Sequence, residues 1–325
     1  MKRRPAILVG AATMALAFTN PLSSQELARL PRVGILNPNT PAIGGKYVEA
    51  FRDELGRLGY SEGRNVSVEV RYADGQPGRL RALASELADL QVKVIVAPSE
   101  PALLAAKEAG RGVPIVAVSC DPLQKLLGSL ARPGGGATGF SCVSSDLAGK
   151  RLSLLKDLVP GLRRVALLYT AQVAYEPDLM NVEQSAKAIG LSITRFEVSA
   201  PTEFDLTFAE MKSAGSEAIY ISLSGFANLH RRKFAELALR HRLPAIFGFR
   251  EFVEDGGLVS YGASNSDGYR RAAHFVDKIL NGTPPSALPA EEPTRFELVI
   301  NRTTAAALGV AIPPILLVQA DEVVD

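Results

Sequence analysis

Polar and aromatic side chains follow several apolar runs of the chain, at the points where buried strands are expected to end. In open α/β sheets, the loops at the carboxyl ends of the strands form the ligand crevice. These positions therefore predict one binding site rather than unrelated loops. The candidate ligand-contacting residues are Asn37, Asn39, Thr40, Ser99, Glu100, Cys120, Asp121, Tyr169, Thr170, Ser224, Phe226, Phe249, Arg250 and Tyr261.

The residue types at these positions suit non-covalent capture of a small charged molecule. Small hydroxyls and free backbone N–H groups at helix N-termini favour a carboxylate. Glu100 or Asp121 could hold an ammonium group, Arg250 could hold a second anionic group, and the four aromatic rings could wall an apolar or aromatic body. Ser, Asn, Asp and Pro are also common in such loops because they cap helices, so a purely structural role is the alternative for each residue.

Motifs for catalysis or nucleotide binding have little support. Gly134, Gly136 and Gly139 match the pattern G-x-G-x-x-G, but they precede an expected strand, whereas a dinucleotide-binding loop follows a strand and opens a helix. The three histidines lack the spacing of metal ligands, and Ser224 is not part of a G-x-S-x-G motif. We therefore expect no catalytic residue, no metal site and no cofactor.

The elements that must position the candidate residues form two similar series. Continuous apolar runs, each followed by a loop and a helical stretch, suit parallel strands covered by helices on both faces. Alternating strands and helices then predict two Rossmann-like lobes, each with a doubly wound parallel sheet. The runs lie at residues 33–36, 66–70, 92–97 and 113–118 in the first series and at 165–168, 191–198, 218–223 and 243–249 in the second.

The two lobes are not expected to be contiguous in the chain. Our interpretation places crossings near Val143, Tyr261 and Pro289, and several parallel crossings would form a hinge. A signal peptide is predicted for residues 1–24. The predicted lobe boundaries are residues 32–142 and 262–289 for lobe 1, and residues 143–261 and 290–325 for lobe 2.

Composition and the N-terminus restrict the class of protein. The 325 residues are 47% hydrophobic, and their net charge of +2 comes from interspersed acids and bases, so nothing indicates nucleic acid as a partner. Lys2, Arg3 and Arg4 precede an apolar stretch that is too short to span a bilayer, as in a secretory signal. We expect a soluble exported protein, and no lipid anchor because no cysteine lies near the cleavage site.

Cys120 and Cys142 are the only cysteines, and both follow expected strands of lobe 1. In an oxidising compartment they either form a disulfide or stay as two unpaired thiols, and the sequence leaves both open. A two-lobed amino-acid racemase would need one acid–base thiol from each lobe. Two cysteines in one lobe argue against that enzyme.

Several longer blocks carry a family resemblance: SLARPGG at residues 129–135, RHRLPAIFGFREF at 240–252, GLVSYG at 257–262 and PTRFELVIN at 293–301. They resemble ABC-transporter substrate-binding proteins of the tryptophan/tyrosine-type family. The resemblance implies a type I periplasmic binding protein fold that holds a small ligand, such as an amino acid or other small carboxylate, between its lobes. It also implies delivery to an ABC permease driven by a separate ATPase subunit; a ligand sensor for a membrane receptor kinase is the alternative.

Overall fold

The computed structural model describes residues 30–119, 123–141, 147–170 and 176–325, which form two α/β lobes. The sheet of lobe 1 has the strand order β2-β1-β3-β4-β5, and all of its neighbouring strands are parallel. This arrangement confirms the predicted parallel sheet. Its strands are β1 (Arg32–Asn37), β2 (Ser67–Tyr72), β3 (Val94–Ala97), β4 (Ile115–Ser119) and β5 (Ala137–Ser141).

The sheet of lobe 2 has the strand order β12-β11-β10-β9-β8-β6-β7. Its strands are β6 (Arg164–Thr170), β7 (Ser192–Val198), β8 (Ala218–Ile221), β9 (Ala245–Phe247), β10 (Val259–Gly262), β11 (Glu297–Asn301) and β12 (Glu322–Val324). Neighbouring strands are parallel except β10 and β11, which are antiparallel. The sequence predicts the parallel strands but neither the reversed direction of β11 nor the short edge strand β12.

Helices cover both faces of each sheet. They are α1 (Pro41–Arg57), α2 (Leu80–Asp89), α3 (Glu100–Ala109), α4 (Leu123–Leu127), α5 (Leu147–Leu158), α6 (Glu176–Ala188), α7 (Phe204–Ser213), α8 (Gly225–Leu229), α9 (Arg231–Arg240), α10 (Arg250–Glu254), α11 (Asn265–Leu280), α12 (Arg302–Leu308) and α13 (Pro314–Gln319). No helix in these ranges is long and apolar enough to cross a bilayer.

Each sheet lies between two hydrophobic clusters. In lobe 1, one cluster joins the strands to α1 and α11 through residues such as Phe51 and Phe275, and the other joins them to α2 and α3. In lobe 2, one cluster contains residues of α5 and α6, and the other contains Phe234 of α9 and Phe252 of α10. Burial on both faces explains why the strands read as continuous apolar runs.

Helix α11 shows where the chain passes between the lobes. It follows β10 of lobe 2, yet it packs on α1 and on β4 and β5 of lobe 1. The chain is still attached to lobe 1 at Glu291, because Ser141 N donates to Glu291 O at 2.8 Å and Glu291 N donates to Gly139 O at 2.9 Å. Lobe 2 resumes with β11 at Glu297. The crossing expected near Val143 lies outside the described ranges.

A buried arginine links two elements next to the point where the chain leaves lobe 2. Arg151, in the first turns of α5, is 4% exposed. Its Nε donates to the carbonyl oxygen of Tyr261 at 2.7 Å, and a terminal nitrogen donates to the Tyr220 hydroxyl at 3.2 Å. Tyr261 lies at the end of β10, directly before the chain leaves lobe 2. Arg151 therefore holds that end of β10 against α5.

The glycine-rich segment before β5 is a turn. Gly135 and Gly136 have φ values of +68° and +69°, which favour glycine. Within the strand itself, Gly139 lies against β4, and a Cβ atom there would be 1.9 Å from the carbonyl oxygen of Ala117. No helix follows directly, so this segment is not a dinucleotide-binding loop.

Substitution Gly139→Ala should lower the free energy of unfolding by about 3 kcal/mol, because the added methyl group forces β4 and β5 apart. Gly56→Ala is the matched control, since Gly56 lies in α1 and a methyl group added there would have no neighbour within 4 Å. That change should raise stability by about 0.5–1 kcal/mol. Urea unfolding of both variants measures this, and equal effects would contradict the packing described at β5.

Candidate functional site

A cavity of about 530 Å³ lies between the two lobes. Lobe 1 contributes the loops after β1 and β3 together with parts of α1 and α11, and lobe 2 contributes α8 and the loops beside it. Among the predicted residues, five line this cavity: Asn39, Ser99, Ser224, Phe226 and Phe249. Strand-end residues of both lobes therefore meet at one place.

Two of the lining residues also cap helices. The Oγ of Ser99 accepts from Ala102 N at 3.2 Å at the start of α3, and the Oγ of Ser224 accepts from Ala227 N at 2.9 Å at the start of α8. A cap uses an oxygen lone pair and leaves the hydroxyl hydrogen to donate elsewhere. The structural and ligand-contacting roles are thus compatible at both serines.

Three predicted residues of lobe 1 lie close to the cavity without lining it. Asn37 is fully buried; its Oδ1 accepts from Asn39 N at 3.0 Å and its Nδ2 donates to the Tyr269 hydroxyl at 3.4 Å. Thr40 precedes α1 and its carbonyl oxygen accepts from the first turn. Glu100 is the first residue of α3 and is partly buried. Asn37 thus supports the wall of the cavity from beneath.

Besides Arg250, three predicted residues of lobe 2 lie outside the lining. The Tyr169 hydroxyl donates to Glu197 at 3.0 Å across β6 and β7. Thr170, at the end of β6, is 3% exposed. The centroid of the Tyr261 ring lies 6.0 Å from that of Phe296, and the partly buried Tyr261 packs against the lobe 2 core. The structure therefore does not bring these two tyrosine rings to the cavity.

Arg250 lies outside the cavity in a network of carboxylates. It donates to Glu254 at 2.9 Å, to Glu297 at 3.3 Å and to Glu322 at 2.5 Å. Burial opposes its charge, but the hydrogen bonds to Glu254 and Glu322 raise the pKa of the guanidinium above its ordinary value. Arg250 ties α10 to β11 and β12, so its donors are occupied within lobe 2.

Several predictions concern residues outside the described ranges. They are the contacts of Cys120 and Asp121, the alternative disulfide between Cys120 and Cys142, and the signal peptide at residues 1–24.

The lining also includes residues that sequence reasoning missed. Tyr47 of α1 and Tyr269 of α11 stack with ring centroids 5.4 Å apart and form an aromatic wall in lobe 1. Asn265, at the start of α11, lies beside them, and Asn228 and His230 line the lobe 2 side. These side chains lie on or beside helices, whereas the predicted site consisted of strand-end loops. Asn265 and Tyr269 could have been predicted from their position. They lie at the start of the helix that directly follows the predicted crossing near Tyr261, so they are close to the space between the lobes.

The described part of the lining carries no Asp, Glu, Lys or Arg. Its polar groups are amides, hydroxyls and the imidazole of His230. The Oδ1 of Asn228 is buried and has no hydrogen-bond partner among the described residues, so it can accept from a ligand N–H. Burial lowers the pKa of His230, whose ring packs 4.6 Å from that of Phe226. The cavity therefore offers aromatic surface and neutral hydrogen-bonding groups.

A second hollow, of about 580 Å³, lies between the start of α11 and the segment that returns to lobe 2. Its lining mixes basic residues such as Arg270 and Arg295 with acidic ones such as Glu54 and Glu292. The predicted strand-end residues do not line it. No group of three or more potential metal ligands occurs in the described part of the chain.

Residues 40–324 match the family described as ABC transporter substrate binding protein. The chain belongs to this family. A tyrosine-binding protein from Clostridioides difficile (strain R20291) is 23% identical over 265 residues, which are 81% of this chain and 75% of that protein. The match to the family confirms the predicted family of binding proteins and excludes the alternative that the chain is a racemase.

Solved structures show the same fold. A domain from Streptococcus pneumonia in complex with L-Trp has a TM-score of 0.83 and 22% identity, covering 91% of this chain and 100% of that one. The ligand-free, open structure of a substrate-binding protein with adhesive properties from Clostridium difficile has a TM-score of 0.70 and 21% identity, covering 91% and 99%. The predicted two-lobed binding-protein fold is thereby confirmed.

His230 should make stability depend on pH. Because its pKa is lower in the folded protein, the unfolded chain binds a proton more readily, and stability is lost as the pH falls below the ordinary histidine value of about 6.5. In urea unfolding at pH 7 and pH 5, the free energy of unfolding of His230→Asn should fall less than that of the wild type. Equal losses in both proteins would show that the burial of His230 has no such effect.

Proposed function

We propose that the protein binds an aromatic amino acid in the cavity between its lobes and delivers it to an ABC permease with its ATPase subunit. The observation that carries this proposal is that aromatic rings of both lobes line one cavity. Tyr47 and Tyr269 come from lobe 1, and Phe226 and Phe249 come from lobe 2. The relatives described as binding tyrosine and L-Trp support the same ligand class.

The size and polar groups of the cavity suit such a ligand. Its volume of about 530 Å³ is within the ordinary range for small-molecule sites, which combine apolar walls with a few placed polar groups. Asn39, Ser99, Ser224 and the unpartnered Oδ1 of Asn228 supply hydrogen bonds for the amino-acid head group. Asp121 follows the end of β4 in the sequence. We propose that its carboxylate holds the ammonium group of the ligand.

The two-lobed architecture supports capture of a ligand between the lobes. A ligand that touches both lobes makes more contacts when they are closed, and only this difference shifts the equilibrium towards closure. We propose that the lobes move as the units predicted from the sequence, with the crossings as hinge, and that the closed form is the one the permease recognises. We also propose export to the periplasm, directed by residues 1–24, as a monomer.

Calorimetric titration of the protein without residues 1–24 tests the ligand class. The panel contains L-tryptophan, L-tyrosine, L-phenylalanine, L-leucine and benzoate. We expect saturable binding of at least one aromatic amino acid, which is recovered unchanged and stabilises the fold by about 2.7 kcal/mol at a hundredfold excess over its Kd. Binding of leucine or benzoate alone would refute the aromatic amino acid, and no binding at all would refute the whole proposal.

Variants of the cavity test its location. Phe226→Ala removes an aromatic contact of the lining and should raise the Kd about tenfold. Arg250→Gln is the control, because Arg250 is bound to three glutamates outside the cavity. It should lower thermal stability and change the Kd by no more than about twofold. A tenfold change in Kd, as expected for Phe226→Ala, corresponds to about 1.4 kcal/mol of binding free energy. A larger loss of affinity in Arg250→Gln than in Phe226→Ala would place the ligand elsewhere.

A further inference from the structure

One buried carboxylate joins the two lobes beside the cavity. Glu251 belongs to α10 of lobe 2 and is 2% exposed. Its Oε1 accepts from the Tyr47 hydroxyl at 2.7 Å, and its Oε2 accepts from Asn265 Nδ2 at 3.2 Å. Tyr47 and Asn265 belong to α1 and α11, which pack together in lobe 1. Each oxygen of this carboxylate is therefore bound by the opposite lobe.

These hydrogen bonds depend on the lobes being together. A buried carboxylate is costly unless it is hydrogen-bonded or paired. Lys46 of α1 adds a positive charge 3.9 Å from Oε1, also from lobe 1. Separation of the lobes would remove all three contacts at once and leave the Glu251 carboxylate to water.

Both hydrogen-bond donors face the ligand cavity. Tyr47 and Asn265 are part of its lining, whereas Glu251 is not. Burial and the nearby charge of Glu251 raise the pKa of Tyr47 far above its ordinary value, so its hydroxyl stays protonated and donates. Stacking on Tyr269 holds the ring of Tyr47 in the wall. The same two side chains thus contact the cavity and the other lobe.

Two other contacts between the lobes lack a buried charge with hydrogen bonds. Lys46 Nζ lies 3.0 Å from Glu254, but both side chains are substantially exposed, and such pairs are screened by water and salt. The apolar side chain of Leu229 in α8 lies near Gly75 of lobe 1 and brings no charge. Of these contacts, the one at Glu251 alone combines burial, a charge and two hydrogen bonds.

We propose that Glu251 is a positioning residue for ligand binding. Its carboxylate binds Tyr47 and Asn265 in the closed form, holds both side chains in the lining and slows ligand release. We call the set Tyr47, Glu251 and Asn265 the interlobe latch. The proposal rests on the proposed function, since it assumes that the ligand occupies the cavity between the lobes.

Substitution Tyr47→Phe tests the latch, because it removes the hydroxyl and keeps the ring in the lining. Tyr60→Phe is the matched control: its hydroxyl donates to Asp277 at 2.9 Å, a tyrosine–carboxylate bond within lobe 1. In stopped-flow measurements with the amino acid that binds best in the panel, Tyr47→Phe should raise the dissociation rate constant about tenfold and change the association rate constant little. Tyr60→Phe should change neither rate constant.

Glu251→Gln should speed dissociation in the same way, and the double variant with Tyr47→Phe should be no faster than the more affected single variant. Equal dissociation rates for Tyr47→Phe and Tyr60→Phe would overturn the latch even where the ligand binds as proposed. Additive effects in the double variant would also overturn it, because they would show that the two residues act independently.

Small-angle X-ray scattering of the proteins without added ligand separates the two proposals. The latch predicts a larger radius of gyration for Tyr47→Phe and Glu251→Gln than for the wild type, and no change for Tyr60→Phe. If no compound of the panel binds the wild type, the proposed ligand class is refuted. The latch is then tested only by the radii of gyration. Equal radii for all four proteins would then refute it.

Discussion

The requirement that both faces of the lobe 1 sheet be covered determines much of the architecture. Helix α11 provides that cover on one face through Tyr269, Phe275 and their neighbours, although it follows a strand of lobe 2 in the chain. The chain must therefore leave lobe 2 and later return to it. The same crossing brings Asn265 and Tyr269 to the space between the lobes, so the packing of one sheet also builds one wall of the cavity.

Two adjacent residues of α10 show how one short helix serves both lobes. Arg250 binds Glu297 and Glu322 and fastens α10 to the edge of the lobe 2 sheet. Glu251, the next residue, points to lobe 1 and accepts from Tyr47. Successive residues of a helix point in directions about 100° apart, so opposite charges side by side in sequence face different surroundings. Anchoring within lobe 2 and contact with lobe 1 are thus combined in α10.

The fold and part of the site could be predicted because burial leaves a clear pattern in the sequence. Continuous apolar runs predict the parallel strands, and the loops after them contain Ser99 and Ser224, which line the cavity. Tyr47 was missed because an aromatic residue in an apolar helix stripe looks the same whether it faces a core or a cavity. The sequence favours a ligand contact for Arg250 because its partners Glu297 and Glu322 are far away in the chain, although Glu254, four residues later, is a local sign of an ion pair.

The neutral character of the described lining has a consequence for binding. In the proposed complex, a charged amino acid meets amide and hydroxyl dipoles such as those of Asn39 and Ser224. Dipoles of this kind compete poorly with water in an open cleft, but they act strongly in a closed space of low dielectric constant. On the functional proposal made above, closure is part of recognition, because the polar groups would bind the ligand well only once Glu251 and its donors have come together.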